Sequence, residues 1–145
     1  MNTDPSGNAK SVKNSQKTQN EDSDYSREII GAAVEVQRVL GAGVLESAYG
    51  AALEIEFTAR GLQYRREVPI TASYKGQSVG VVFRADFIVE EQVIVEIKAI
   101  EAVTDAHKAQ LLTYLRLSGI KLGLLLNFHD FSVARGTKRI VNNFA

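Results

Sequence analysis

The stretch Arg84-Ala85-Asp86-Phe87-Ile88-Val89-Glu90-Glu91-Gln92-Val93-Ile94-Val95-Glu96-Ile97-Lys98 constrains this chain more than any other. Two runs of β-branched and aromatic residues flank a short polar break, the pattern of a β-hairpin. With Glu90 to Gln92 as the loop, Val89 pairs with Val93, and the same register sets Asp86 across from Glu96. Directly opposed Cβ atoms of an antiparallel pair lie about 4.5–5.5 Å apart, and like charges placed there destabilise the sheet. Alternation puts Lys98 on the face of Glu96, with Val95 and Ile97 on the other. It also groups Asp86 with Arg84 and Ile88, out of phase with Phe83, Phe87 and Val89. Such a pair calls for positive charge. Lys98 offers one, and a hard divalent cation offers more, because Mg²⁺ is typically held by one or two carboxylates while water and substrate phosphate complete its octahedron.

Helical patterns surround this hairpin. Ile29, Ala33, Val36 and Leu40 recur at helical spacing, widened by Ile30 and Val34, and stop at Gly41-Ala42-Gly43, a connector without the pattern of a phosphate loop. A second helix is expected from about Leu45 to Arg60, ending at Gly61, with Tyr49, Leu53 and Phe57 along its apolar stripe. Glu46 shares that stripe, so it is expected to face inward, where a carboxylate needs a cation or hydrogen-bond donors to offset desolvation. Three strand-like segments follow, Leu62 to Tyr74, Ser78 to Val89 after a Lys75-Gly76-Gln77 turn, and Val93 to Ala99, read as an antiparallel meander. A third helix spans Thr104 to Leu117, with Thr104 as N-cap and Gly119 as its stop. On it Gln110 and Tyr114 share a face beside His107 and Leu111, an amide and a phenol able to hold water and phosphate oxygens. Lys121 to Phe128 lacks alternation and reads as a strand buried on both faces; a last strand covers Lys138 to Phe144. The order after the first helix is α-β-β-β-α-β, an α/β (α+β) layer of helices on a mixed sheet.

Composition acts by exclusion. Without cysteine there is no disulfide framework, thiolate metal site or cysteine nucleophile. The 17 Lys+Arg balance the 17 Asp+Glu to a net charge of +0, which argues against a strongly basic nucleic-acid coat protein and still permits a local positive patch. The 145 residues suit one domain. Residues 1–24 are mostly Asn, Ser, Lys, Gln, Asp and Thr and are expected to form a disordered tail, leaving 25–145 as the folded domain. There is no signal-like apolar N-terminal region and no apolar run near the roughly 20 residues that span a bilayer, so an intracellular, cytoplasmic protein without a membrane partner is expected.

Taken in order, Glu46, Asp86, Glu96-Ile97-Lys98 and Gln110 with Tyr114 resemble the motif series of the PD-(D/E)XK nuclease superfamily, in the version whose Gln-x-x-x-Tyr helix is shared with RecB-type exonucleases. Gly43-Val44-Leu45-Glu46-Ser47-Ala48-Tyr49 resembles, more narrowly, the small bacterial and archaeal proteins called the GxxExxY family. The likeness runs from about Tyr25 to the C-terminus; the first carboxylate stands in Arg-Ala-Asp rather than Pro-Asp, and in that superfamily the carboxylate binds the metal. It implies a restriction-endonuclease-like αβββαβ core and metal-dependent hydrolysis of nucleic-acid phosphodiester bonds, with DNA the first expected substrate. It further implies that Asp86, Glu96 and the carbonyl of Ile97 hold Mg²⁺ or Mn²⁺, with Glu46 an outer or water-mediated ligand. Lys98 would orient or deprotonate the attacking water, and Gln110 and Tyr114 would position water or backbone phosphate. The small size points to dependence on a protein partner or a second copy of the chain. The rival expectation is a non-catalytic nucleic-acid- or protein-binding module that keeps the fold. Tyr49 is expected to pack, His107 to be solvated, and Arg65, Arg66, Lys75 and Arg84 are open between facing substrate and facing water.

Overall fold

The computed structural model describes residues 24–143, so the expected polar tail, Asp24 apart, lies outside the described residues. Helix α1 (Ser26–Leu40) buries Ile29, Ala32, Ala33 and Val36. Val34 and Leu40, expected in its apolar stripe, are exposed. Val34 projects from the opposite side of the helix, and Leu40 is its last residue. Helix α2 (Glu46–Ala59) buries Tyr49, Leu53 and Phe57 as their spacing predicts. The Phe57 ring meets Phe87 edge-on at 5.2 Å, a contact that fixes α2 over the sheet and whose truncation to Ala would cost about 3–5 kcal/mol.

Strands β1 (Tyr64–Tyr74) and β2 (Gln77–Val89) are joined at Lys75 and Gly76, whose φ values of 52° and 82° make a two-residue turn twisted to suit the strands. Gln77 therefore belongs to β2, where it pairs with Tyr74, and not to the turn. Strand β3 (Val93–Lys98) leads into helix α3 (Asp105–Ser118), which crosses over to β4 (Leu122–Asn127). A one-turn helix, α4 (Val133–Gly136), precedes β5 (Lys138–Val141). The sequence reading missed α4, whose start is capped by the Ser132 side chain, and carried the last strand beyond its end at Val141.

The five strands stand in the order β1-β2-β3-β4-β5, with β3 and β4 parallel and the other pairs antiparallel. A parallel pair needs a crossover, which α3 supplies. All six β4 residues are buried because both faces of the sheet are covered. On one face Ile29, Val36, Tyr49, Leu53 and Phe57 pack on Phe87, Val95, Ile97, Leu124 and Leu126. On the other, Leu111 and Leu115 of α3 pack on Ile88, Ile94 and Leu125. No helix among the described residues is long and apolar enough to cross a membrane.

Candidate active site at the β2–β3 fork

Strands β2 and β3 are laddered over Phe87↔Val95, Ile88↔Ile94 and Val89↔Val93, the register expected from the sequence. Glu90 and Glu91 both take a left-handed φ of 55° to close the loop. The ladder stops one position short of Asp86 and Glu96, and there carboxylates replace carbonyls. Asp86 Oδ2 accepts from the N–H of Ile97 at 2.8 Å, and Glu96 Oε2 accepts from the N–H of Asp86 at 3.1 Å. Each acidic side chain satisfies an amide of the opposite strand at the point where the strands part, which answers the need for a partner at every buried N–H.

A second irregularity lies across β2. Glu67 of β1 has a φ of 54° and is absent from the pairing between Arg66↔Phe87 and Val68↔Ala85. Alternation along β2 breaks at the same place. Ala85 and Ile88 both pack on the α3 side, while Asp86 and Phe87 both line a cavity under α2. The expected grouping of Asp86 with Ile88, and of Phe83 with Phe87, is thereby corrected: Phe83 packs on the α3 side and Phe87 on the α1–α2 side.

That cavity, about 210 Å³, is lined by Glu46, Ser47, Gly50, Arg66, Glu67, Asp86, Phe87 and Ile97. Glu46 is exposed, not inward-facing as its helical phase suggests, because it stands in the first turn of α2. It still reaches the end of β3, where its Oε2 accepts from the N–H of Ala99 at 3.0 Å. Lys98, half-buried, acts through its charge on both Asp86 and Glu96. Its carbonyl accepts from the N–H of Phe128 at 2.8 Å. Asn127, buried at 2% exposure, clamps the following loop by donating to the Ile100 carbonyl and accepting from the Ile100 N–H. Sequence reasoning missed Asn127; its only signal was an amide closing an otherwise apolar strand.

Charge in the fork is unbalanced. Burial pushes the Glu96 carboxyl up to about 8, with the nearby charge of Asp86 adding to the effect. Burial also raises Asp86, against the pull of the Ile97 N–H and Lys98. The Tyr114 hydroxyl is raised as well, by burial first and then by the charges of Glu96 and Asp86, which puts it within electrostatic reach of the pair. Its ring stacks on Phe83 at 3.6 Å. Gln110, one turn earlier, is exposed, and no hydrogen bond among the described residues draws it to the pair. His107 is no bystander, since its Nδ1 accepts from the Thr104 N–H and completes a capping box at the start of α3. Tyr49 packs as expected, stacked on Phe128 at 4.3 Å with its hydroxyl donating to the Gly41 carbonyl. Arg65 pairs with Glu91 on the surface, whereas Arg66 enters the cavity.

Among the described residues no group of three or more His, Cys, Asp or Glu side chains is arranged to hold a metal ion. What converges is a pair of carboxylates, each with one oxygen engaged by an amide of the opposite strand. Hard oxygen donors with surplus negative charge fit Mg²⁺ or Mn²⁺, ions that need only one or two carboxylates and keep several waters. A family model described as the PD-(D/E)XK nuclease superfamily matches residues 23–140. No curated protein and no solved structure matches the chain.

Proposed function

This chain belongs to the PD-(D/E)XK nuclease superfamily, and from that premise we propose that it is a metal-dependent nuclease hydrolysing nucleic-acid phosphodiester bonds, with DNA as substrate. The observation that carries this reading is the meeting of Asp86 and Glu96 at the fork beside Lys98, with Glu96 held up to about 8 by burial and by Asp86. A buried pair of like charges is unfavourable in the ion-free protein, and a bound divalent ion would offset that cost.

In this reading Asp86, Glu96 and the Ile97 carbonyl would hold Mg²⁺ or Mn²⁺, with Glu46 as an outer or water-mediated partner. When bound, the ion polarises the phosphoryl oxygen and acidifies a bound water. Lys98 orients the attacking water and offsets the negative charge that grows on the phosphoryl oxygens. Its backbone carbonyl is held by the Phe128 N–H, which ties the end of β3 to the residue after β4. Tyr114, fixed by its stack on Phe83, and Gln110 steady backbone phosphate on the α3 side. The run Gly43 to Tyr49 and the Gln110–Tyr114 spacing support the narrower kinship with GxxExxY proteins and RecB-type exonucleases.

The test is a cleavage assay over single-stranded, duplex, flapped and branched substrates, DNA and RNA, with Mg²⁺ or Mn²⁺ against chelator, run beside thermal denaturation in the same buffers. Ion-dependent cleavage together with ion-dependent stabilisation supports the reading. Stabilisation without cleavage of any substrate, or neither, would instead favour the binding module that keeps the fold.

A further inference from the structure

Among the described residues Arg66 is the one cationic residue lining the 210 Å³ cavity that Asp86 also lines, and its guanidinium is held on several sides. Its Nη1 donates to Glu54 Oε1 at 3.1 Å, its Nη2 donates to the Ser47 carbonyl at 3.4 Å, and it lies over the Phe87 ring at 5.8 Å. A guanidinium has five N–H donors in a fixed fork, so these bonds orient it and leave donors for a ligand. The side chain is 26% exposed, open to the cavity without being loose. Strand β1 thus sends its adjacent arginines to different tasks, Arg65 to the surface pair with Glu91 and Arg66 to the site.

Helix α2 is shaped around this guanidinium. Gly50 lies in the interior of the helix, where glycine is about 1 kcal/mol worse than alanine. A Cβ there would stand 2.7 Å from Arg66 Nη2 and 3.5 Å from Ile97 Cδ1. The first of these contacts cannot be tolerated without moving the guanidinium. Room for Arg66 thus coincides with a helix position that is weak by intrinsic preference.

We propose that Arg66, seated over Gly50 beside Asp86, is a positioning residue that binds the backbone phosphate of the nucleic acid in the α2 cavity. The inference rests on the nuclease reading and deepens it by assigning the contact to the α2 side of the sheet, opposite Tyr114. Planar bidentate donors suit phosphate oxygens. At roughly 30 Å³ for each liquid water, the cavity of about 210 Å³ has room for a phosphate group with some of its water. The other charged residues lining it are the acids Glu46, Glu67 and Asp86, which repel an anion. Phosphate binding at Arg66 is therefore linked to a divalent ion that neutralises them.

The test measures binding of a labelled DNA oligonucleotide by fluorescence anisotropy, with the full chain, in Ca²⁺ and in chelator, over a series of salt concentrations. Wild-type protein should bind in Ca²⁺ and not in chelator. Arg66→Ala should weaken binding in Ca²⁺ by about 10- to 100-fold, the range for a hydrogen bond to a charged group. It should also lower the slope of log affinity against log salt by about one, the loss of one phosphate contact. Arg66→Lys should restore the salt slope and part of the affinity. Where cleavage is measured, the effect should fall on KM more than on kcat. Gly50→Ala, which keeps every charge and favours the helix, should weaken binding in the same direction and serves if Arg66→Ala fails to fold. Wild-type affinity in Arg66→Ala overturns the proposal, as does a loss with unchanged salt slope that Arg66→Lys does not relieve, which marks a structural tie to Glu54. If the wild-type chain binds no oligonucleotide in Ca²⁺ and cleaves none in Mg²⁺, the nuclease reading falls too; cleavage that is indifferent to Arg66→Ala removes only this assignment.

Discussion

The amide of Asp86 donates to the Glu96 carboxylate, and the amide of Ile97, next to Glu96, donates back to Asp86. The two acids thus stabilise, through charge-assisted hydrogen bonds, the opening of the strands that their mutual repulsion favours. One oxygen of each is committed to the backbone. Amide analogues keep a carbonyl oxygen for the backbone bond while removing the charge, so they separate scaffold from function.

Asp86→Asn and Glu96→Gln should each lower ion-dependent cleavage by more than the roughly 10–100-fold that losing an outer partner of a metal ligand costs. Neither should unfold the protein. In chelator at pH 8.5 each should melt higher than wild type by several degrees, since about 1 kcal/mol moves the Tm of a domain this size by roughly 2–8 °C. Calorimetry beside a cleavage assay checks both statements; an amide variant with wild-type turnover would remove its residue from the mechanism.

The ion-free protein should lose stability as pH rises. Glu96 and Asp86 both bind their protons more tightly folded than unfolded, with Glu96 at about 8 against its ordinary 4.5. The folded state therefore holds the extra proton between those values, and unfolding becomes progressively easier as pH climbs from about 4.5 to about 8. Asp24, held low by its hydrogen bonds to Ser26 and Arg139 despite the opposing effect of burial, contributes in the opposite sense and only at more acid pH. Melting curves in chelator at pH 5.5, 7 and 8.5 should fall in that order, with Mg²⁺ restoring most at pH 8.5, where no proton need be displaced. A flat profile in chelator would show that the carboxylates do not share a desolvated fork.

The parts of this arrangement that sequence makes legible are those set by local chemistry. Val89↔Val93 follows from the Glu90-Glu91-Gln92 loop, and the burial of β4 on both faces from its unbroken apolar run. Thr104 and Gly119 mark the ends of α3 by the conformations they favour. What was not legible comes from neighbours distant in sequence. The face on which Asp86 emerges changes beside Glu67, a residue of another strand whose left-handed φ no residue-type rule predicts for glutamate. The division of labour between Arg65 and Arg66 depends on Glu91 and on the space over Gly50, and the clamp by Asn127 on a loop far from it in the chain.

Glu67 should tolerate glycine and resist β-branching. At a φ of 54° an L-residue carries roughly 1–2 kcal/mol of strain, which Gly relieves while losing a similar, smaller amount through unfolded-state entropy. Glu67→Gly should lie within about 0.5 kcal/mol of wild type, and Glu67→Val about 1–2 kcal/mol below it, with cleavage impaired as Asp86 turns away. Urea denaturation orders the three proteins; Val equal to wild type would mean that the strand relaxes there at no cost.

Glu46 is where a role in the site and a role in the scaffold diverge most usefully. Its Oε2 accepts from the Ala99 N–H, which ties the start of α2 to the end of β3, and its charge raises both Asp86 and Glu96. Glu46→Gln keeps an oxygen for Ala99 and removes only the charge. As a water-mediated partner of the ion, Glu46 should be worth several-fold in Mg²⁺ or Mn²⁺ affinity, short of the roughly 10–100-fold range of the strongest outer partners. As a helix-start charge alone it would change stability by about 0.3–1 kcal/mol and affinity not at all. Calorimetric titration of both proteins with Mn²⁺ separates the cases. The variant should also need a more alkaline pH to melt as wild type does in chelator, because removing Glu46 lowers the repulsion that Glu96 feels on ionising. Equal affinities would confine the ion to the hairpin carboxylates and leave α2 to position Arg66 without touching the metal's shell.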